Sequence, residues 1–170
     1  MGTSASTPND EWIELYNNTT STIDLTGWTL VSTTDGSPNI ALDGTISSGG
    51  FYLLERSDDD TVSNILADRI YTGALSQTEG KPGEKLELRD ANGNLIDMID
   101  CSTGWFAGTT TEYVSMERRI PEDIGNKSDN WVNCGCWFKG QGEPIGLDAN
   151  GNPIKGTPKF DNSYWGLGAG

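Results

Sequence analysis

Residues 11–30, EWIELYNNTTSTIDLTGWTL, are the stretch whose reading decides the fold. In its first part Ile13 and Leu15 point one way, while Trp12, Glu14 and Tyr16 point the other. In its second part Ile23 and Leu25 alternate with polar neighbours, and beyond Gly27 the alternation resumes at Trp28 and Leu30. A period of two marks strands with one face buried and one wet. Between the parts, Asn17 to Thr22 is a polar run of the kind that turns a chain back on itself. The Gly27-Trp28 step predicts a bend, with a large ring closing over one end of a core.

The rest of the chain agrees with that beginning. It has 170 residues, 34% of them hydrophobic, and 22 glycines, which suits one domain of many short strands joined by tight turns. Residues 51–55, FYLLE, predict a strand buried on both faces. Residues 85–89 alternate cleanly, DANGN at 90–94 turns, and LIDMID at 95–100 returns, the strongest hairpin signal present. DANGN recurs at 148–152 with different flanks, so it marks a second turn rather than a repeat. Residues 112–119 and the stretch beginning at Asp129 are further strands. In residues 61–70, Val62, Ile65, Leu66, Arg69 and Ile70 recur at helical spacing behind Asp58, Asp59 and Asp60, which predicts one short helix.

The formal charge is −14. Such a field repels phosphate backbones, so direct nucleic-acid binding is not expected. No apolar run approaches the length of a membrane span. The start at Met1 lacks the charged and apolar regions of a secretory signal, and the chain reads as cut from a larger secreted protein. Residues 1–8 and 166–170 are expected to be flexible.

Chemistry-bearing residues are few. There is no histidine, so neither a Ser-His-Asp nor a Cys-His arrangement can be built. Carboxylate pairs, Asp97 with Asp100 and Glu11 with Glu14, would be the basis of a metal-dependent hydrolase; on alternating strands such acids are ordinarily solvated. Asp58, Asp59 and Asp60 are the candidate ligands for Ca2+, the one cofactor considered. The DANGN turns echo calcium loops but lack the glycine and glutamate positions of an EF-hand. Trp105, Trp137 and Trp165 lie in loops and are the candidates for a carbohydrate-binding platform. Cys101, Cys134 and Cys136 leave an odd thiol; they read equally as buried free thiols or as one disulfide joining Cys101 to Cys134 or Cys136, and zinc would find only three soft ligands.

In order, EWIELYN (11–17), IDLTGW (23–28), TISSGGFYLL (45–54), GEKLELRDANGNLIDMID (83–100), SMERR (115–119), NW (130–131) and TPKFDN (157–162) resemble the lamin-tail domain family, in a prokaryotic member. The resemblance implies an all-β, immunoglobulin-like β-sandwich of two mainly antiparallel sheets spanning 9–165. It departs from the family at Lys159, where glycine usually follows Thr-Pro, and at residues 136–155, which read as a hairpin insertion. It implies no catalytic residues. The expected function is a noncatalytic interaction or tethering module of a larger secreted or cell-surface protein, located extracellularly or in the cell envelope. Its partner would be a protein or a surface polymer, with glycan binding and hydrolysis as alternatives.

Overall fold

The computed structural model describes residues 2–3, 9–76, 82–136 and 146–165. Its strands, in chain order, are β1 (Gly2–Thr3), β2 (Glu11–Tyr16), β3 (Ile23–Asp24), β4 (Thr29–Ser32), β5 (Asn39–Ala41), β6 (Thr45–Ile46) and β7 (Phe51–Arg56). There follow β8 (Arg69–Tyr71), β9 (Lys85–Arg89), β10 (Leu95–Asp100), β11 (Met116–Arg118) and β12 (Trp131–Asn133). One sheet has the order β1-β2-β7-β8 and the other β10-β9-β4-β5, with small ladders of β3 with β6 and β11 with β12. Pairing is antiparallel except between β7 and β8. The sheets face each other across one core, in which Ile13, Tyr52 and Leu54 meet Leu30, Leu86 and Ile99. This is the expected immunoglobulin-like sandwich.

Strand β7 is buried on both faces, as its unbroken apolar run predicts: Tyr52 and Leu54 enter the sandwich core while Leu53 joins a second cluster with Trp12 and Val62. That second cluster corrects the reading of β2. Its outer face is not wet, because Trp12 is only 3% exposed. A C-terminal strap covers it. Ile154 packs on the cluster, and a Cβ at Gly156 would lie 2.5 Å from the Trp12 ring. Further along, the Lys159 amide donates to Glu14 Oε2 at 2.5 Å, and the Trp165 ring sits 4.5 Å from that of Tyr16. Alternation along β2 therefore sorts side chains between two buried layers rather than between core and water.

Lys159 adopts φ +60°, the left-handed region, at the position where the family pattern carries glycine. A side chain there costs about 1 kcal/mol. The Lys159 ammonium pairs with Asp68 at 2.8 Å, which offsets part of that cost.

Residues 61–70 form turns followed by β8 instead of the expected helix. Side-chain acceptors take the amides a helix would use: Val62 N–H donates to Glu55 Oε2, and Ala67 N–H to Asp59 Oδ1. Burial of Thr61 and Val62 against β7 decides the rest. A 3₁₀ turn at Ser128–Asn130 leads into β12.

Both DANGN segments are turns. In each, the Asp carboxylate caps the amides two and four residues on, and the glycine takes a left-handed φ, +81° at Gly93 and +79° at Gly151. Of the expected insertion, residues 137–145 lie outside the described residues. The hairpin at 146–155 is pinned to the 61–64 turns through Ser63 and Asn64.

The expected pairing of Cys101 with Cys134 or Cys136 is corrected. Cys134 bonds Cys136, with Cα atoms 5.2 Å apart, and Cys101 is a buried free thiol. Cys101 lies beside Trp105 and Phe106 in the sandwich core, whereas the C-x-C pair follows β12.

Candidate functional site

Where the two sheets end, two strand edges face a common groove of about 660 Å³. Among the described residues β2 pairs with β1 through Glu11 and Trp12, and Ile13 to Tyr16 are laddered by β7 alone. Among the described residues β10 is the edge of the second sheet, paired with β9 alone. The floor is core: Leu15, Leu25 and Leu88 among others. One lip carries Tyr16 and Trp165. The other carries Leu95, Ile96 and Ile124, which are 45%, 50% and 63% exposed.

The β10 lip arises from an irregularity in the ladder. Register shifts between Leu95 and Asp97, opposite Arg89 and Leu88, and this turns the adjacent Leu95 and Ile96 outward together. Across the groove Arg118 binds Asp97 at 2.6 Å and Asp123 carbonyl at 2.5 Å, tying β11 and the 121–126 loop to β10. The Arg118 guanidinium also lies 5.9 Å from the centre of the Trp131 ring. The charged liners are five carboxylates, Glu14, Asp97, Glu117, Glu122 and Asp123, against Arg118 as the one cation. The slot is apolar within, and along its β10 side the Met98 and Asp100 amides donate to Asp97 Oδ1 and Asn126 Oδ1.

Burial pushes the Glu11, Glu14 and Glu55 carboxyls upward, the last two furthest. Glu14 rises to about 8 as the strap excludes water, with Glu117 adding repulsion and the Lys159 amide and ammonium opposing. Glu55, sealed under the 58–62 turn, rises to about 7 through burial and the neighbouring Asp59 and Asp58 carboxylates. Both have an ordinary value of 4.5. An acid whose folded pKa exceeds its unfolded one contributes most stability below the unfolded value, and that contribution is lost as pH rises through the folded value. Unfolding free energy is therefore expected to fall from pH 5 to pH 8. Glu55→Gln should flatten the slope and raise stability at pH 8 by about 2 kcal/mol. Urea melts at the two pH values check this; a wild-type stability that climbs over the window contradicts it. The carboxyls of Asp24, Asp90, Asp100 and Asp123 are held below their ordinary range by hydrogen bonds, so they act only at more acidic pH.

The sequence-derived candidates are placed separately. Asp58 caps the Asp60 amide and Asp59 that of Ala67, so two of the three Asp each commit an oxygen to holding the loop. Among the described residues the group of three metal-ligating side chains that converges is a different one, Glu117 with Cys134 and Cys136. Trp105 packs on the core and donates from Nε1 to Ser76 carbonyl at 2.6 Å. Trp165 packs on Tyr16 and Phe51 and donates to Arg118 carbonyl, which puts it at the groove lip. Trp137 lies outside the described residues. The carboxylate pairs do not face one another. Glu11 serves Arg56 and the Leu75 amide while Glu14 serves Lys159, and Asp97 holds Arg118 while Asp100 caps Ser102. Burial pushes the Cys101 thiol up to about 11, which leaves it un-ionised and unreactive at neutral pH.

The family model of the lamin tail domain matches residues 2–103, more than half of the chain. The chain belongs to the lamin tail domain family. Members are noncatalytic, immunoglobulin-like protein-interaction modules. None of the curated proteins compared with the chain matches it. The family span contains β1 to β10, and so both groove edges; the Ile124 lip, β11, β12 and the strap lie beyond it. Among the described residues no helix is long and apolar enough to cross a membrane.

Proposed function

We propose that this lamin tail domain is a noncatalytic binding module that takes an extended segment of a partner protein into the groove between β2 and β10. The segment is apolar and flanked by lysine or arginine. The observation that carries the reading is the joint exposure of Leu95, Ile96 and Ile124 at the lip of an apolar slot, with Glu122 and Asp123 on its rim. Exposed apolar area that continues into a groove marks interaction sites, and the acidic rim selects the charge of the partner. An extracellular or cell-envelope setting goes with this reading, supported by the Cys134–Cys136 disulfide. The glycan alternative has less support, because Trp105 and Trp165 pack in different places.

Selection from a displayed random-peptide library is the test. Enriched sequences are expected to combine β-branched or aromatic residues with Lys or Arg. Ile96→Glu with Ile124→Glu should weaken an enriched peptide at least tenfold, while each substitution shifts stability by about 0.5 kcal/mol or less, as exposed sites do. An acidic consensus, or undiminished binding by the double variant, overturns the proposal.

A further inference from the structure

β11 and β12 pair with Glu117 opposite Val132, and the chain then turns so that both cysteines of the C-x-C pair approach the Glu117 carboxylate. One carboxylate oxygen and the two sulfurs lie within 4.8 Å of one another. Glu117 and Cys134 are each 3% exposed, and Cys136 is half-buried. Ser163 on the strap completes the cluster. Its hydroxyl donates to Glu117 Oε2, lies 4.0 Å from Cys134 Sγ, and accepts the Gly135 amide at 2.7 Å. Among the described residues no lysine or arginine pairs with Glu117; Thr157 and Ser163 supply its donors.

A disulfide across two residues constrains the unfolded chain little, since the stabilisation grows with the loop closed. What this pairing does achieve is to hold two sulfurs beside a buried carboxylate. We infer that in its dithiol form the Cys134, Cys136 and Glu117 cluster binds a borderline-soft divalent cation of the zinc type, with the Ser163 hydroxyl or water in the fourth position. Two thiolates exclude calcium and magnesium as preferred occupants, and an S2O2 donor set suits tetrahedral zinc. Tetrahedral bonds of about 2.3 Å to sulfur set two sulfurs about 3.8 Å apart, so the pair, bonded to each other in the oxidised form, separates on reduction while the Glu117 oxygen, within 4.8 Å of both, closes in by side-chain rotation.

The chemistry balances with a small thiol as reductant. Two molecules of thiol reduce the Cys134–Cys136 bond, giving one small-molecule disulfide and two protein thiols. Each thiol then loses its proton to solvent as the metal binds, so two protons are released per cation. Oxidation by a small disulfide reverses both steps and expels the metal. The dithiol form exists wherever thiols are in excess, including before a chain reaches an oxidising compartment. This inference is independent of the groove.

The probe is Co2+ added to the full-length chain after reduction, followed by Zn2+. Expected are a sulfur-to-cobalt charge-transfer band and intense tetrahedral d–d bands that saturate at one Co2+ per chain, are displaced by Zn2+, and are absent from the disulfide form. Cys134→Ser and Cys136→Ser should each lower affinity at least a hundredfold. X-ray absorption of the Zn2+ form of the unsubstituted protein should count two sulfurs and two light ligands, and this holds whether or not a Glu117 variant folds. Absence of the bands after reduction, their survival in the double serine variant, or a count of three or four sulfurs overturns the inference.

Discussion

A chain ending at residue 103 is expected to remain unfolded, although it holds the whole span matched to the family. The reason lies on the outer face of β2 and β7. There Trp12, Leu53 and Val62 are 3%, 0% and 0% exposed, and Ile154, Gly156 and the following strap help cover them. Met116 fills a place in the sandwich core and Trp131 packs against it, and both are also lost. Exposing side chains of this size removes about 1.5–3 kcal/mol each, against a total stability of about 5–15 kcal/mol for a domain. Far-ultraviolet circular dichroism and urea titration of the fragment check this; a cooperative transition would show that the strap is dispensable. In the full chain, Gly156→Leu drives a side chain into the Trp12 ring and should cost about 1–3 kcal/mol. Trp12→Ala should cost about 3–5 kcal/mol.

Glu117→Ala is expected to be the most damaging substitution of a charged residue, at about 2–4 kcal/mol, because it leaves several buried donors unpaired. Its carboxylate accepts from Thr157 Oγ1 at 2.8 Å, from the Ser163 amide at 3.0 Å and from the Ser163 hydroxyl. Removing it leaves those donors buried and unpaired while opening a void beneath the strap. Thr157→Ala and Ser163→Ala each remove one hydroxyl donor and should cost about 1–2 kcal/mol. Because the three residues form one network, the double variant Glu117→Ala with Ser163→Ala should be much less destabilised than the sum of the singles. Equilibrium urea unfolding of the four proteins completes the cycle. Additivity, or a Glu117→Ala cost under 1 kcal/mol, would mean that the strap is held by apolar packing alone.

These two results separate what pattern reveals from what it hides. Alternation in residues 11–30 and 85–100, with Asn92-Gly93 between β9 and β10, identifies strands and a hairpin, because period and turn chemistry are local properties. The unbroken run at β7 announces burial on two faces. β2 carries the same signal less openly: Trp12 and Tyr16 are large rings on a face read as wet, and Glu14 between them obscured it. The helix expected in residues 61–70 failed because Glu55 and Asp59 cap amides across the loop, and no window on the 61–70 segment includes those acceptors.

The candidate site was less legible. The adjacent apolar pair Leu95-Ile96 was a visible break in the alternation of β10, yet only the shifted register against β9 turns both outward. Ile124 reaches the same lip through Arg118, which holds the Asp123 carbonyl and Asp97 together. The Glu117, Cys134 and Cys136 cluster was equally hidden. Zinc was weighed on sulfur alone, and the third donor lies in the strand across the ladder.

The sequence by itself determined that this is an all-β sandwich of the lamin tail kind, because strand period, turn residues and motif order are written along the chain. Only the tertiary structure decided that both faces of β2 are buried, that Cys134 pairs with Cys136, and that β2 and β10 leave a slot between them. Each of those facts depends on which distant segment a face meets, and burial is a property of the pair.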